Sequence, residues 1–443
     1  MGGELLGFKQ NLGELLMHIV KYSTVAAVAL AASLGFSISR ASAADLDGGC
    51  CADLEERVAE LEATTARKGN RVVSLNISGQ VSKALLIWDD GVDSDAFVVD
   101  NAINTSRFAF DGKAVMKPGW TAGFLVQIDL RDSISSTVSQ TNDEGLGAEI
   151  QIRTSNVYID SEKLGRITLG QGYSFNDAVS VPFQVANTYN TDGGPYADGF
   201  RLMTTAGTDA GFTWANLIGN GPRRDDYLRY DSPLFGGFGF MALVGDDDIW
   251  EIGAKFFTKT DRFQLNSAID YYDYDASALP AAGGLAKFQE VKGIVSVKDL
   301  PSGLFLTVWA AQREYERGGL DDTGHSIQAF FGIEKNFTSY GNTTIYGGYG
   351  RFEDMASTGL PGASALNVGI GVDGHVNDFV TGSEIDRVTF GVVQTFDSAG
   401  LDLYAIAEHF SADVTVSDVG TGASQNADLE DFTSVIIGSR IKF

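Results

Sequence analysis

The sequence is poor in the residues that build common enzyme sites and cross-linked scaffolds. It contains two cysteines in 443 residues, adjacent at Cys50 and Cys51, so it has neither a Cys-x-x-Cys metal spacing nor a disulfide framework. It contains four histidines, and it lacks a Walker loop, an H-E-x-x-H motif and a G-x-S-x-G motif. We therefore predict that the chain is not an enzyme and requires no metal and no cofactor.

Positive charge is also scarce. Lysine and arginine total 32 against 58 aspartates and glutamates, which gives a formal net charge of −26. A nucleic-acid partner requires basic side chains that neutralise phosphates, and a helix lying on anionic lipid requires a basic face. The acidity argues against both. Apolar residues make up 44 % of the chain, which is enough for a large folded body.

Long hydrophobic runs are missing except near the start of the chain. Residues 25–35 are apolar, follow Lys21 and precede small residues that end at Ala43. A basic region, a short apolar core and a small-residue cleavage site are typical of a secretory signal, and the run is too short to span a bilayer as a helix. We predict a signal peptide over residues 1–43, with cleavage after Ala43 and with Met17 as an alternative start.

Removal of this segment leaves a chain with no candidate for a membrane-spanning helix. The segment carries three basic and two acidic residues, so its loss removes one net positive charge and leaves −27. No later segment reaches 18 consecutive apolar residues. The mature protein therefore either leaves the membrane or crosses it as β-strands, which satisfy their backbone hydrogen bonds in a closed barrel.

Residues 44–72 are predicted to form a periplasmic segment with one short helix. Leu54, Val58 and Leu61 fall on one face of residues 53–61. This stretch is shorter than two heptads and is too short to form a stable coil alone. A short amphipathic helix and a small coil between subunits both remain open as interpretations.

From residue 73 onward, apolar residues recur with a period of two. Val73, Leu75 and Ile77 alternate with polar side chains, and similar runs continue to the end of the chain. Alternation of this kind gives a strand one apolar and one polar face. The runs are about 9–15 residues long, which fits a tilted strand that crosses a bilayer better than a strand of a soluble sheet. Glycine, at 53 residues, is frequent inside these runs, where backbones must pass closely.

We predict an all-β fold, a 16-stranded antiparallel transmembrane β-barrel over residues 73–443. The strands are expected at residues 73–88, 103–117, 119–131, 149–161, 166–173, 224–232, 237–245, 249–257, 262–274, 287–299, 303–316, 325–337, 342–353, 384–396, 401–413 and 429–443.

The connections alternate between short turns, such as residues 300–303, and long acidic loops, such as residues 354–383. This is the pattern of bacterial barrels. Residues 212–215 could add a further strand, but an odd number would leave the chain ends on opposite sides of the membrane. Parity therefore places residues 174–223 in one long third loop, which a wide barrel can hold in its lumen.

The chain resembles the 16-stranded general porins of alphaproteobacteria, of the Rhizobiales type. The resemblance rests on residues 50–70, on residues 230–233 before a short turn and on the terminal Phe443, and it covers nearly the whole mature chain. It implies a homotrimer in the bacterial outer membrane, surrounded by lipid and lipopolysaccharide. It also implies a third loop that constricts each pore, and a last strand that the barrel-assembly machinery reads through Phe443.

In such a channel the chemistry is electrostatic, because acids on one wall of a narrow passage and bases on the other align polar solutes and set ion preference. The acidic wall is predicted on the third loop, at Asp177, Asp192, Asp198 and Asp209. The basic wall is predicted at Arg107, Arg131, Arg153, Arg223, Arg224 and Arg229. For any one arginine, an ordinary lumenal or rim charge is the alternative.

Two further sets of residues carry predictions. Aromatic residues at the ends of runs are expected in the interfacial girdles of a barrel, at Trp88, Trp120, Trp250, Tyr271 and Tyr272. Acidic clusters at residues 89–95 and 246–248 are expected to be solvated, or to hold Ca²⁺ loosely between the loops and lipopolysaccharide.

Three functions are compatible with the sequence. The favoured one is passive diffusion of small hydrophilic solutes and ions, with a weak preference for cations because of the net charge. The alternative is a channel selective for sugars or another nutrient, which needs lumenal aromatics such as Tyr173, Tyr189 and Tyr196. A secreted all-β binding protein is the third, and the strand lengths argue against it.

Overall fold

The computed structural model describes residues 73–145, 147, 149–175, 181–189, 197, 199–218, 224–246, 249–274, 288–317, 320–355, 378–418 and 424–443. The predicted signal peptide (residues 1–43) and the predicted periplasmic segment (residues 44–72) lie outside the described residues.

The described part of the chain is almost entirely antiparallel sheet. One sheet contains eighteen strands, and two short strands form a separate hairpin. The strands are β1 (Asn76–Asp89), β2 (Ser94–Val99), β3 (Arg107–Lys117), β4 (Trp120–Arg131), β5 (Glu149–Ser161), β6 (Gly165–Gly172), β7 (Arg201–Met203), β8 (Asp209–Thr213), β9 (Asp225–Asp231), β10 (Phe238–Gly245), β11 (Trp250–Lys259), β12 (Phe263–Tyr274), β13 (Phe288–Asp299), β14 (Leu304–Arg317), β15 (Leu320–Lys335), β16 (Thr343–Glu353), β17 (Asp378–Phe396), β18 (Leu401–Asp418), β19 (Ser424–Ala427) and β20 (Phe432–Lys442).

Helical structure is minor. In the residues that the structure describes, one α-helix, α1, spans Trp214–Ile218, and single 3₁₀ turns lie at Ala102–Asn104, Val181–Phe183 and Asp397–Ala399. Among the described residues, no helix combines the length and the apolar character needed to cross a bilayer.

The large sheet closes on itself. β1 pairs with β20 from Gln80 opposite Lys442 to Asp89 opposite Thr433, and β20 pairs on its other side with β18. β2 and β19 only extend the loops beside β1 and β18, so sixteen of the eighteen strands form the wall. The predicted 16-stranded barrel is confirmed. A closed wall has no edge on which backbone groups lack partners, as a lipid environment requires.

Residues 212–215 do not join the wall. β8 pairs with β7 in the separate hairpin, and α1 follows directly. These residues therefore add no strand to the barrel wall, and the third loop contains regular structure of its own.

The observed strands differ from the predicted ones mainly at their loop ends. β17 begins at Asp378 instead of residue 384, β15 begins at Leu320 instead of residue 325, and β18 continues to Asp418 instead of ending at residue 413. Beyond the bilayer a hairpin continues its hydrogen-bonded ladder without needing an apolar face. Alternation alone therefore underestimates the length of these strands.

Alternate side chains of each barrel strand occupy opposite faces of the wall. In β10, Met241 and Leu243 are buried, whereas Phe238 and Phe240 are 53 % and 56 % exposed. Large exposed apolar side chains of the same kind occur on the outer face of nearly every wall strand. Such a surface is costly in water and suits lipid.

Two glycines of the wall lie beneath aromatic rings of a neighbouring strand. The ring of Tyr346 lies against Gly391, and the ring of Tyr404 lies against Gly438. A Cβ atom at either glycine would overlap the ring, so close approach explains why glycine stands inside these strands.

The prediction of interfacial girdles is wrong for Trp88 and Tyr272. Both side chains face inward and are 2 % and 0 % exposed, whereas Trp250 is 40 % exposed on the outer face. Successive side chains of a strand point to opposite faces, so Tyr271 and Tyr272 cannot both face lipid.

Candidate functional site

The third loop, between β6 and β9, lies against inward-facing side chains of the wall. The backbone amide of Phe175 donates to Oε2 of Glu251 in β11 at 2.9 Å, and that of Asn187 donates to Oε2 of Glu334 in β15 at 2.5 Å. The described residues of 175–189 therefore follow the inner face of the barrel from β11 to β15.

Tyr189 anchors this part of the loop further along the wall. Its side chain is fully buried, its ring stacks on Tyr404 at 4.2 Å, and its hydroxyl donates to Oδ2 of Asp402 at 3.1 Å. Arg440 in β20 donates to the same oxygen at 2.6 Å. Burial raises the pKa of the Tyr189 hydroxyl far above its ordinary range, so the group keeps its proton and remains a donor.

The second half of the loop is fixed to the wall by a buried aromatic cluster. The Phe200 ring lies 5.0 Å from Trp88 and 5.2 Å from Phe432, and the Trp214 ring lies 5.5 Å from Phe410. All five side chains are buried. The sequence interpretation missed this core because it treated residues 174–223 as one structureless loop; the available signal was the density of aromatic residues in it.

On the wall at β3, β4 and β5, three arginines surround one buried carboxylate. Arg153 Nη1 lies 2.7 Å from the Asp129 carboxylate, Arg107 Nε 3.8 Å and Arg131 Nε 3.9 Å. Thr105 Oγ1 donates to the same carboxylate at 3.1 Å. The three arginine side chains are 10 %, 14 % and 19 % exposed respectively, and that of Asp129 is 1 % exposed.

A β-bulge lies at Arg153, the arginine of this cluster that is nearest to Asp129. Gln127 of β4 lies opposite Thr154, and Ile128 lies opposite Ile152, so Arg153 is the extra residue of β5. A bulge interrupts the alternation and redirects a side chain. Arg153 and Thr154 are accordingly both buried, whereas Ile152 is 53 % exposed.

Tyr173, where β6 gives way to the third loop, lies between two arginines. The guanidinium carbons of Arg153 and Arg224 lie 5.3 Å and 4.8 Å from the centroid of its ring. Nε of Arg153 donates to the Tyr173 hydroxyl, and Nη1 of Arg229 donates to the Tyr173 carbonyl oxygen at 3.3 Å.

The structure thus brings five of the six predicted basic residues together around Asp129 and Tyr173. Arg229 differs from the others because it makes a bidentate pair with Asp231, at 2.7 Å and 2.9 Å. The sixth residue, Arg223, lies outside the described residues.

The predicted acidic wall is described only in part. Asp177, Asp192 and Asp198 lie outside the described residues. Asp209 pairs with Arg201 at 3.0 Å across the β7–β8 hairpin. In the described part of the chain no ion pair joins Asp209 to the arginines of the wall. The placement of these four acids at a constriction stays a prediction.

Elsewhere the inner wall carries ion pairs between nearby strands, which the sequence interpretation missed. The pairs are Arg313–Glu290 at 2.6 Å, Lys298–Glu334 at 2.5 Å, Arg440–Asp402 at 2.6 Å, and Arg387–Glu408. The inward positions of these residues follow from alternation, but the choice of partner depends on the register between strands.

The end of the chain completes the seam of the barrel. Gly79 and Phe443 exchange two backbone hydrogen bonds, of 2.9 Å and 3.1 Å, and the ring of Phe443 lies 5.8 Å from that of Phe108. The role of Phe443 as an assembly signal stays a prediction.

Two smaller predictions concern sugars and calcium. Tyr189 is fully buried and unavailable to a passing sugar, and Tyr196 lies outside the described residues.

The Asp90 carboxylate accepts from the amides of Val92 and Asp93 and from Gln140. Within the described ranges no group of three His, Cys, Asp or Glu side chains is arranged to hold a metal ion. Loose Ca²⁺ binding stays a prediction.

Solved barrels resemble this one. OmpT of Vibrio cholerae lacking loop L8 gives a TM-score of 0.52 at 12 % identity, covering 84 % of this chain and 100 % of that one. The anion-selective porin from Comamonas acidovorans gives 0.52 at 15 % identity, over 84 % and 100 %. OprB of Pseudomonas putida gives 0.52 at 12 % identity, over 88 % and 97 %. At these identities the likeness shows the fold alone.

Sequence comparisons identify one relative and one protein family. A chitoporin of Vibrio furnissii is 48 % identical over 46 residues, which are 10 % of this chain and 13 % of that protein. The profile of a family described as Gram-negative porin matches residues 23–415. Because this profile covers most of the sequence and the closed barrel has the same fold as known porins, the chain belongs to the family of Gram-negative porins and resides in the outer membrane.

Proposed function

We propose that the protein forms a passive, water-filled channel through which small hydrophilic solutes and ions diffuse. The observation that carries the proposal is the division of the closed wall. Its outer face carries exposed apolar side chains such as Phe238 and Phe240, whereas its inner face carries charged groups such as Asp129, Arg313 and Glu408. An apolar exterior suits lipid, and a charged interior suits water and hydrated solutes.

The proposed constriction lies between the third loop and the arginines of β3, β4 and β5. The loop is attached to the inner wall through Asn187, Tyr189 and the aromatic cluster, which leaves Arg107, Arg131 and Arg153 on a different stretch of the wall. Loop acids facing these arginines would give a transverse field. The mature charge of −27 favours cations at the mouths, so we propose a weak cation preference.

A substrate-selective channel is the second candidate. The similarity to a chitoporin over 46 residues favours a sugar as the solute. Tyr173, which is partly exposed, is the described aromatic residue best placed to contact it.

Recording from purified protein in planar bilayers tests these proposals. We expect stepwise currents that scale with salt concentration. In a KCl gradient, we expect the sign of the reversal potential to show a preference for cations over anions. Polyethylene glycols are expected to be excluded from the channel increasingly as their size grows. Saturable block by a chito-oligosaccharide, absent with an unrelated sugar of equal size, would favour the selective channel. A purified, folded barrel that never conducts would contradict both candidates.

We further propose a homotrimer that contacts lipopolysaccharide, is inserted by the barrel-assembly machinery and belongs to the alphaproteobacterial branch of the family. Light scattering of the detergent-solubilised protein tests the oligomer, because a trimer has three times the protein mass of a single barrel.

A further inference from the structure

We propose that residues 199–218 of the third loop form a scaffold on which the first and last strands of the barrel meet, so that this segment packs before the seam between β1 and β20 closes. We call residues 199–218 the seam scaffold. The proposal concerns assembly of the wall and goes beyond the proposed transport function. It rests on contacts of the scaffold with both sides of the seam, through side chains and through the backbone.

One aromatic ring of the scaffold contacts both strands of the seam. The ring centroid of Phe200 lies 5.0 Å from that of Trp88 in β1, 5.2 Å from that of Phe432 in β20 and 6.3 Å from that of Phe97 in β2. Trp214 makes a second contact with Phe432, at 6.0 Å. Phe200 therefore joins the first strand to the last one on the inner face of the wall.

The inner face is where burial of apolar side chains favours closure of the seam. On the outer face, side chains such as Leu85 of β1 and Ile437 of β20 lie opposite each other, but lipid chains are as apolar as these residues, so their meeting contributes little. On the inner face, which lipid does not cover, Trp88 and Phe432 would be exposed to water without the scaffold. The hydrophobic effect therefore acts on the seam through the scaffold.

The backbone of the scaffold pairs with the segment that leads into β20. The amide of Thr205 donates to the Asp428 carbonyl oxygen at 3.0 Å, and the amide of Glu430 donates to the Met203 carbonyl oxygen at 2.8 Å. The two segments meet in an antiparallel bridge. The scaffold thus offers backbone partners to the chain immediately before the last strand begins.

On the other side of the seam, the second loop connects the scaffold to the end of β1. Nε2 of Gln140 donates to the Arg201 carbonyl oxygen at 2.7 Å, and Oε1 of Gln140 accepts from the Arg201 amide at 3.0 Å. Nε2 also donates to Oδ2 of Asp90, directly after β1, at 3.0 Å. Because β1, the second loop and the scaffold all precede β20 in the sequence, these contacts do not require the last strand.

The order of events follows from the length of chain that the seam encloses. Direct pairing of β1 with β20 closes a loop that contains almost the whole barrel sequence, and such non-local contacts cost chain entropy before they contribute stability. The scaffold lies between the two strands in sequence, so its packing on β1 shortens the remaining loop. Because the cost grows only with the logarithm of loop length, the aromatic surface that the scaffold presents to β20 contributes more than the shortening does.

Closure of the seam is measured by cross-linking while the full chain, with its two native cysteines replaced by serine, refolds from urea into lipid vesicles. The seam reporter carries Leu85→Cys and Ile437→Cys, which lie opposite each other in β1 and β20. The wall reporter carries Val295→Cys and Val308→Cys, which lie opposite each other in β13 and β14. A short bifunctional thiol reagent, added at intervals, links either pair once its strands have met, because opposite side chains lie close together.

The matched variants Phe200→Ala and Phe183→Ala remove the same kind of buried ring from two parts of the third loop. Phe183 is 4 % exposed and stacks on Phe257 of β11 instead of on the seam strands. We expect F200A to slow cross-linking of the seam reporter about tenfold and to leave the wall reporter unchanged, because contacts made before closure act on the rate of folding. We expect F183A to leave the rate at the seam unchanged.

Three results would overturn the proposal. An unchanged rate at the seam in F200A, with faster unfolding in urea instead, would show that the scaffold packs only after closure. Equal slowing of both reporters in F200A, or equal slowing of the seam by F183A, would show a general effect on folding. If F200A does not fold, Phe200→Leu replaces it, with an expected slowing of the seam of about threefold and the same outcomes against the proposal.

Discussion

Three arginines share the carboxylate of Asp129, and this residue illustrates how a single side chain organises one face of the lumen. The carboxylate is buried, with Arg153 at hydrogen-bond distance and Arg107 and Arg131 nearly 4 Å away. Without it, three guanidinium groups would repel one another in partly desolvated positions. Loss of the Asp129 carboxylate is therefore expected to lower stability mainly because it leaves three guanidinium groups without a counter-charge.

We expect Asp129→Asn to lower the free energy of unfolding by about 1–3 kcal/mol, because three partly exposed arginines lose their shared counter-charge. Urea titration of the protein folded in lipid vesicles measures the change. Asp160→Asn is the control, since Asp160 and Arg166 form a pair in which both side chains are 40 % or more exposed. Equal losses in the two variants would show that burial of Asp129 has no special effect.

At the scale of elements, the inner face of each strand is shaped by its neighbours as much as by its own sequence. In the bulge of β5, Thr154 lies opposite Gln127 and Ile152 lies opposite Ile128, which leaves Arg153 without a partner residue in β4. Likewise, Gly391 in β17 accommodates the ring of Tyr346 from β16. Both features follow from the register of adjacent strands, which a single strand does not contain.

The two glycines Gly391 and Gly347 give a matched test of this packing. Gly391→Ala is expected to cost about 1–3 kcal/mol, because the new methyl group would overlap the Tyr346 ring. Gly347→Ala is expected to be neutral or slightly stabilising, because the nearest atom to its new Cβ is 3.7 Å away and alanine restricts the unfolded chain. Urea titrations in lipid vesicles compare the two. A larger loss at Gly347 would contradict the packing argument.

At the scale of the whole molecule, stability depends on closure of the wall between β1 and β20. The terminal Phe443 lies at this seam, where its backbone pairs with Gly79 and its ring contacts Phe108. The same wall, with its apolar exterior, makes the protein a resident of the membrane and gives the lumen its boundary.

We expect Phe443→Ala to reduce the yield of folded barrel in the outer membrane severalfold, because the seam loses an aromatic contact and the final strand loses its terminal aromatic residue. Gels run with and without heating separate folded from unfolded protein. Phe337→Ala is the control, because Phe337 is 56 % exposed in a turn and Phe443 is 59 % exposed. Equal yields of folded barrel for the two variants would contradict a specific contribution of Phe443 to folding and assembly.

Much of the barrel wall could be predicted because the alternation of apolar and polar residues lies within each strand's own sequence. Alternation in each run, together with turn residues and parity, predicted sixteen strands. Five of the six basic candidates lie close together on the inner wall, and their place at a constriction stays a prediction. The ion pairs of the inner wall, the bulge at Arg153 and the aromatic cluster around Trp214 were not predictable in this way. Each depends on residues that are far apart in sequence and meet through strand register or loop packing.

The sequence by itself determined that the chain is a barrel, because the period of two repeats along every strand and lipid permits strands only in a closed sheet. The tertiary structure decided which charges face one another, since register sets the neighbours of every inward side chain. It also decided which arginines share Asp129, because the register of β3, β4 and β5 brings Arg107, Arg131 and Arg153 beside that carboxylate.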